Sequence, residues 1–284
     1  MAIPELRRTN QLREAYATIL AAAPPRWGKT RLIRTATKPL VLACEMGSKK
    51  GLGTLQDLEV PFFPCDTMEE LLDVARELRR DREKCSYKGE YFDHVFLDSA
   101  SVAGELGLEG AKKTFGFGEF MWDSVKGSGK DPRKAYPYMN EKVRQLMKIL
   151  FDIKAHFIAI SREAVVEIED EQGNKTMWSV PEFPGTKLPN ELPGWPDAVL
   201  RGEFVNGRRL FRTKSLARKV AGIRVPDNVP GSTSIATAIP DFIIPNTTLI
   251  CRWMQTWDPA LLKQLTPVKE EKPKAAPVAS PVGR

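Results

Sequence analysis

The chain has 284 residues, 42% of them hydrophobic, and a formal charge of +7. That length supports one large α/β domain or two small ones, and so small a positive surplus leans only slightly toward a polyanionic partner. Four cysteines without a C-x-x-C pair and only two histidines argue against a disulfide framework and a zinc site and fit a reducing cytoplasm; there is no apolar signal core at the N-terminus and no apolar run long enough to span a membrane.

Residues 1–15 are polar and basic and read as a lead-in helix or arm. Residues 16–22 (YATILAA) are short and apolar, as a buried parallel strand should be. Directly after them comes Ala23-Pro24-Pro25-Arg26-Trp27-Gly28-Lys29-Thr30. This is the spacing of the phosphate-binding loop G-x-x-x-x-G-K-[ST], with Ala23 in place of the first glycine. Residues 29–37 can form a helix that Pro39 stops. A strand, a tight loop and a helix start gather backbone N–H groups around one point, which favours an anion. Lys29 then reaches the β- and γ-phosphates of ATP, and the Thr30 hydroxyl ligates Mg²⁺. Two features weigh against tight binding. An alanine is penalised wherever the backbone needs positive φ, and Pro24 and Pro25 remove two N–H donors.

Residues 40–45 (LVLACE) read as a second buried strand ending in the carboxylate of Glu45, and Phe62-Phe63 as a short third one. Thr67-x-x-Glu70 is a capping box that opens a helix with Leu71, Ala75 and Leu78 on one face. Residues 94–99 (HVFLDS) form an apolar strand ending in Asp98, the Walker B arrangement, from which the carboxylate can hold magnesium. Residues 104–137 are the least regular stretch. Their glycines, aromatics (Phe115, Phe117, Phe120, Trp122, Tyr136) and lysines (Lys112, Lys113, Lys126, Lys130, Lys134) suit single-stranded nucleic acid, or else the aromatics pack on the core. Residues 138–154 carry a helical apolar stripe. Residues 156–161 form another buried strand, followed by Arg162 at the end where α/β sheets place ligand contacts; His156, at the strand's start, reads as structural. A hairpin over 165–178, a Pro-rich loop over 181–196 and a second hairpin turning at Asn206-Gly207 follow. Residues 266–284 have a disorder-prone composition, so the expected layout is one domain over 1–265 and a tail.

The order of these parts resembles the RecA-like branch of P-loop NTPases. More narrowly, it is similar to phage-encoded RecA-like nucleotide-binding proteins associated with single-strand annealing and recombination. The likeness is carried by residues 38–47 (KPLVLACEMG) and by 181–185 and 192–199 (PEFPG, LPGWPDAV). It implies a mostly parallel α/β sheet with C-terminal antiparallel hairpins, and ATP with Mg²⁺ as ligands. It also implies residue roles. Residues 23–30 bind phosphate, Thr30 and Asp98 hold the metal, Glu45 orients the attacking water, and Ser161 or Arg162 senses the γ-phosphate. Arg218-Lys219 is the nearest match to a late basic element of the family, with different spacing. The implied partners are single-stranded DNA, further copies of the chain and a single-strand-binding or replication protein, in the cytoplasm of the host cell. A non-catalytic adaptor and a small-molecule phosphotransferase are the alternatives.

Overall fold

The computed structural model describes residues 16–44, 52–116, 132–169, 175–215, 220–226, 229 and 231–267. Through the first half it runs β1 (Thr18–Ala22), a 3-10 helix (Lys29–Thr35), β2 (Pro39–Ala43), a 3-10 segment (Gly53–Leu58), β3 (Phe62–Pro64) and α1 (Met68–Arg80). A small hairpin of β4 (Ser86–Tyr87) and β5 (Glu90–Tyr91) leads to β6 (His94–Asp98), α2 (Ala100–Phe115), α3 (Ala135–Phe151) and β7 (His156–Ser161). The second half runs β8 (Glu163–Glu169), β9 (Lys175–Pro181), α4 (Lys187–Glu191), β10 (Ala198–Val205), β11 (Arg208–Arg212) and β12 (Gly222–Ile223). It closes with α5 (Ser232–Ala238), β13 (Phe242–Ile243), α6 (Thr247–Thr256) and α7 (Pro259–Leu265).

The fold is mixed α/β. Strands β3-β2-β6-β7-β1-β10 lie side by side and parallel; β11 and β12 pair antiparallel with β10, and β13 with β11. The central strands are apolar on both faces because both faces are covered. Leu20, Leu42, Leu97 and Phe157 meet residues of α1, α2 and α3 on one side. Ile19, Val41, Phe96 and Ile158 meet the first 3-10 helix, α6 and α7 on the other. Parallel pairing brings all the strand C-termini to one edge, so the chemistry-bearing residues at the strand ends collect there.

Local sequence accounts for most of the boundaries. The Thr67 hydroxyl accepts from Glu70 N–H at 3.2 Å while the Glu70 carboxylate accepts from Thr67 N–H, and the face of α1 carrying Leu71, Ala75 and Leu78 is buried. The β10–β11 hairpin turns through Asn206 and Gly207, both with positive φ (50° and 74°), as a tight turn of the strands' own twist requires.

Three expectations are corrected. The segment after the phosphate-binding loop is a 3-10 helix ending at Thr35, not a helix to residue 37. Its last carbonyls are taken by side chains: Leu32 C=O accepts from the Thr35 and Thr247 hydroxyls (2.8 and 3.1 Å), and Thr35 C=O from Thr248 (2.7 Å). The stretch 104–137 is less irregular than its composition suggests, since α2 extends to Phe115 and α3 begins at Ala135; residues 117–131 lie outside the described residues. The Pro-rich loop contains the short helix α4. Residues 1–15, Arg218-Lys219 and the tail beyond 267 also lie outside the described residues.

Candidate nucleotide site

The loop 23–30 leaves β1 at the C-terminal edge of the sheet, between β7 and β10. Ala23 N–H donates to Ser161 C=O at 3.2 Å, continuing the pairing with β7 for one residue beyond the strand. A turn then closes, Trp27 N–H donating to Pro24 C=O at 3.3 Å. Arg26 (φ 63°) and Gly28 (φ 94°) carry the left-handed backbone that bends the chain into the 3-10 helix. Ala23 does not have positive φ, so a methyl group at that position carries no backbone strain.

The space for that methyl comes from across the sheet. A Cβ on Gly202 of β10 would lie 2.6 Å from Ala23 Cβ and 2.6 Å from Trp27 Cε2, both impossible approaches. Ala23 and Gly202 are therefore a small-for-small pair. The buried Trp27 ring fits over the glycine, stacks on Phe211 at 4.9 Å and donates from Nε1 to Glu203 C=O at 3.1 Å. Sequence reasoning passed over Gly202. Its signal was a lone glycine inside a strand pattern, which marks close backbone approach. A Gly202→Ala substitution is expected to push the loop out of place, costing about 1–3 kcal/mol of stability and lowering nucleotide affinity in the folded protein. Chemical denaturation and a binding titration on the same sample measure both.

Lys29 Nζ donates to the carbonyls of Ala23 and Pro24 at 2.9 and 3.1 Å, so the ammonium lies folded over the loop it belongs to. The Thr30 hydroxyl donates to Asp98 Oδ2 at 3.2 Å, a contact between residues 68 apart in sequence. A hydroxyl and a carboxylate at that spacing are hard oxygen donors, and they fit a Mg²⁺ ion that keeps several of its waters. Asp98 in turn lies beside the end of β2, where Cys44 N–H donates to Asp98 C=O at 2.9 Å. The following residue, Glu45, lies outside the described residues.

Ser161 and Arg162 reach the same edge and are both engaged. Ser161 is fully buried; its hydroxyl donates to Arg162 C=O at 2.6 Å and lies 3.3 Å from the Ser101 hydroxyl of α2, which also accepts from Arg162 N–H at 2.9 Å. The Arg162 guanidinium pairs with Glu105 and, at 2.7 Å, with Glu182. It thereby ties α2 to the end of the β8–β9 arm. Next to it runs a chain of part-buried ions. Arg201 donates to Glu163 from Nη2 at 3.1 Å, with Nε 3.0 Å from the same carboxylate, and Arg212 donates to Glu203 from Nε and Nη2 at 2.8 and 3.0 Å. Removing one member would strand a charge in a poorly solvated place, which fixes β8, β10 and β11 in their relative positions.

Several basic side chains are engaged where they are described. Arg212 belongs to that ion chain, Lys214 pairs with Asp241 at 3.4 Å, Lys112 with Glu109 at 2.5 Å, and Arg224 donates to Gly194 C=O at 3.0 Å. Phe115 packs edge-on against Tyr138 at 5.7 Å. Phe117, Phe120, Trp122, Lys126 and Lys130 lie outside the described residues.

No helix among the described residues is long and apolar enough to cross a membrane. No curated protein matches the chain. A family model described as an AAA domain matches residues 15–225, from the strand before the loop to beyond the second hairpin.

Proposed function

The chain belongs to the AAA domain family of P-loop ATPases, and on that premise we propose that it binds ATP with Mg²⁺ at residues 23–30 and hydrolyses it in association with single-stranded DNA. The observation that carries the reading is the Thr30–Asp98 hydrogen bond beside Lys29, because it joins loop, lysine and acid at one sheet edge. Bound Mg²⁺ would neutralise charge on the phosphates, held by Thr30 and Asp98. Lys29 would exchange two carbonyl partners for phosphate oxygens, a charge-assisted bond in place of a neutral one. Ser161 and Arg162 are the polar groups nearest in chain order to the loop's neighbouring strand end. Arg162 would act on a γ-phosphate only after leaving Glu105 or Glu182.

Glu45 is assigned the role of orienting the attacking water. In the sequence it comes two residues after the end of β2, the strand that pairs with β6 and its terminal Asp98. Glu45→Gln keeps the shape and loses the charge that aligns and activates water, so it should bind ATP as the wild type does and release no phosphate. The assay is phosphate release with and without single-stranded DNA. Stimulation of the wild type by DNA supports the DNA-linked reading and a place in phage recombination or replication. Intact ATP binding without turnover under either condition identifies a nucleotide-binding adaptor instead.

A further inference from the structure

The chain's two histidines and one of its four cysteines meet at the opposite edge of the sheet from the nucleotide site. His94 opens β6, His156 opens β7, and the two are directly paired in the parallel register. Both side chains face the layer of α6, from which Cys251 projects. One ligand-capable atom from each of the three residues lies within 4.8 Å of the other two, and all three residues are buried. The imidazole rings are 4.9 Å apart.

The hydrogen bonds around the rings define which lone pairs are available. His94 Nδ1 lies 2.8 Å from Thr37 C=O, which can only accept, so Nδ1 carries the ring proton and Nε2 a lone pair. That Nε2 is buried without a hydrogen-bond partner, on a residue 2% exposed. A buried acceptor without a partner is destabilising unless something at that point takes its lone pair. Cys251 is fully buried, so its sulfur is shielded from solvent at the meeting point of the two rings.

We propose that His94 and Cys251, with His156 as a weaker third ligand, form a site for a d¹⁰ metal ion of the Zn²⁺ type, which fastens α6 to the starts of β6 and β7. One imidazole lone pair and one thiolate are the donors such ions select. Metal–nitrogen and metal–sulfur bonds are about 2.0–2.3 Å long, so ligand atoms within 4.8 Å of one another can close on a shared ion by small side-chain movements. On binding, the Cys251 proton is released to solvent and the S–metal and His94 Nε2–metal bonds form. His156 is the weaker third ligand. Its Nδ1 accepts from Ala17 N–H at 2.9 Å, so it ligates only by giving up that bond or its ring proton. The nucleotide site uses oxygen donors at the other end of the strands and is independent of this one.

The test uses the full chain, refolded without nucleotide in the presence of Zn²⁺ and, in parallel, of Co²⁺ as a spectroscopic stand-in. The wild type should retain one equivalent of Zn²⁺ after gel filtration, and its Co²⁺ form should show a thiolate-to-metal charge-transfer band. Cys251→Ser should lose both and still bind ATP, and His156→Gln should weaken retention without abolishing it. If Cys251→Ser does not fold, a chain with Cys44, Cys65 and Cys85 all changed to Ala keeps Cys251 as its one thiol and must still show the band. A folded wild type that retains no zinc, or a Cys251→Ser protein that retains as much as the wild type, overturns the site.

Discussion

Lys29→Ala should lose nucleotide binding while leaving the fold in place. The side chain donates to two loop carbonyls, Ala23 and Pro24, at 2.9 and 3.1 Å. Both are part-buried hydrogen bonds whose loss should leave the fold in place. Binding is another matter. On the proposed reading the ammonium would contact the phosphates, and hydrogen bonds to a charged partner contribute about 1.5–3 kcal/mol, roughly ten- to a hundredfold in affinity. A titration with a fluorescent ATP analogue in the presence of Mg²⁺ reads the loss, and an unchanged melting temperature separates it from unfolding. Equal affinity in wild type and variant would remove the site from residues 23–30.

Trp27→Ala should have the largest effect on stability, about 3–5 kcal/mol. The indole is 1% exposed, covers Gly202, stacks on Phe211 and donates to Glu203 C=O. Truncation leaves a cavity under the loop and an unmet carbonyl on β10. It also frees the bend that positions Lys29 and Thr30, so nucleotide affinity should fall in the folded fraction too. Trp27→Phe keeps most of the packing and removes the N–H, so it should lose about 1–3 kcal/mol, the cost of a buried carbonyl left without its donor. Urea denaturation of the two variants against the wild type measures the difference. A Trp27→Ala protein as stable as Trp27→Phe would show that the ring does not anchor the loop.

Much of this was legible in the sequence because the relevant signals are local. Apolar runs of five or six residues ending in Asp98 or Ser161 mark buried parallel strands, Thr67 and Glu70 mark a helix start, and Asn206-Gly207 marks a hairpin. The Gly-Lys-Thr triplet after a buried strand marked the candidate site, and Thr30 meets Asp98 across 68 positions of sequence. What stayed hidden depends on residues far apart in the chain. The α2 helix carries Gly104, Gly107 and Gly110, which read as loop on propensity alone. Two of them sit where a Cβ would strike a neighbour: Pro184 Cδ at 2.8 Å from Gly104, and Met139 and Met68 at 3.2 Å from Gly107. Close packing overrides propensity there. Ala23 likewise read as a defect because its partner Gly202 is 179 positions away, and nothing in the spacing of His94, His156 and Cys251 announces that they converge.

The most direct test of the account is a crystal structure of the chain with Mg²⁺ and a non-hydrolysable ATP analogue. The account predicts that Lys29 Nζ leaves the Ala23 and Pro24 carbonyls for phosphate oxygens, with the metal next to the Thr30 hydroxyl and the Asp98 carboxylate. A nucleotide bound elsewhere, or bound with Lys29 still on those carbonyls and no metal near Thr30 and Asp98, would contradict it.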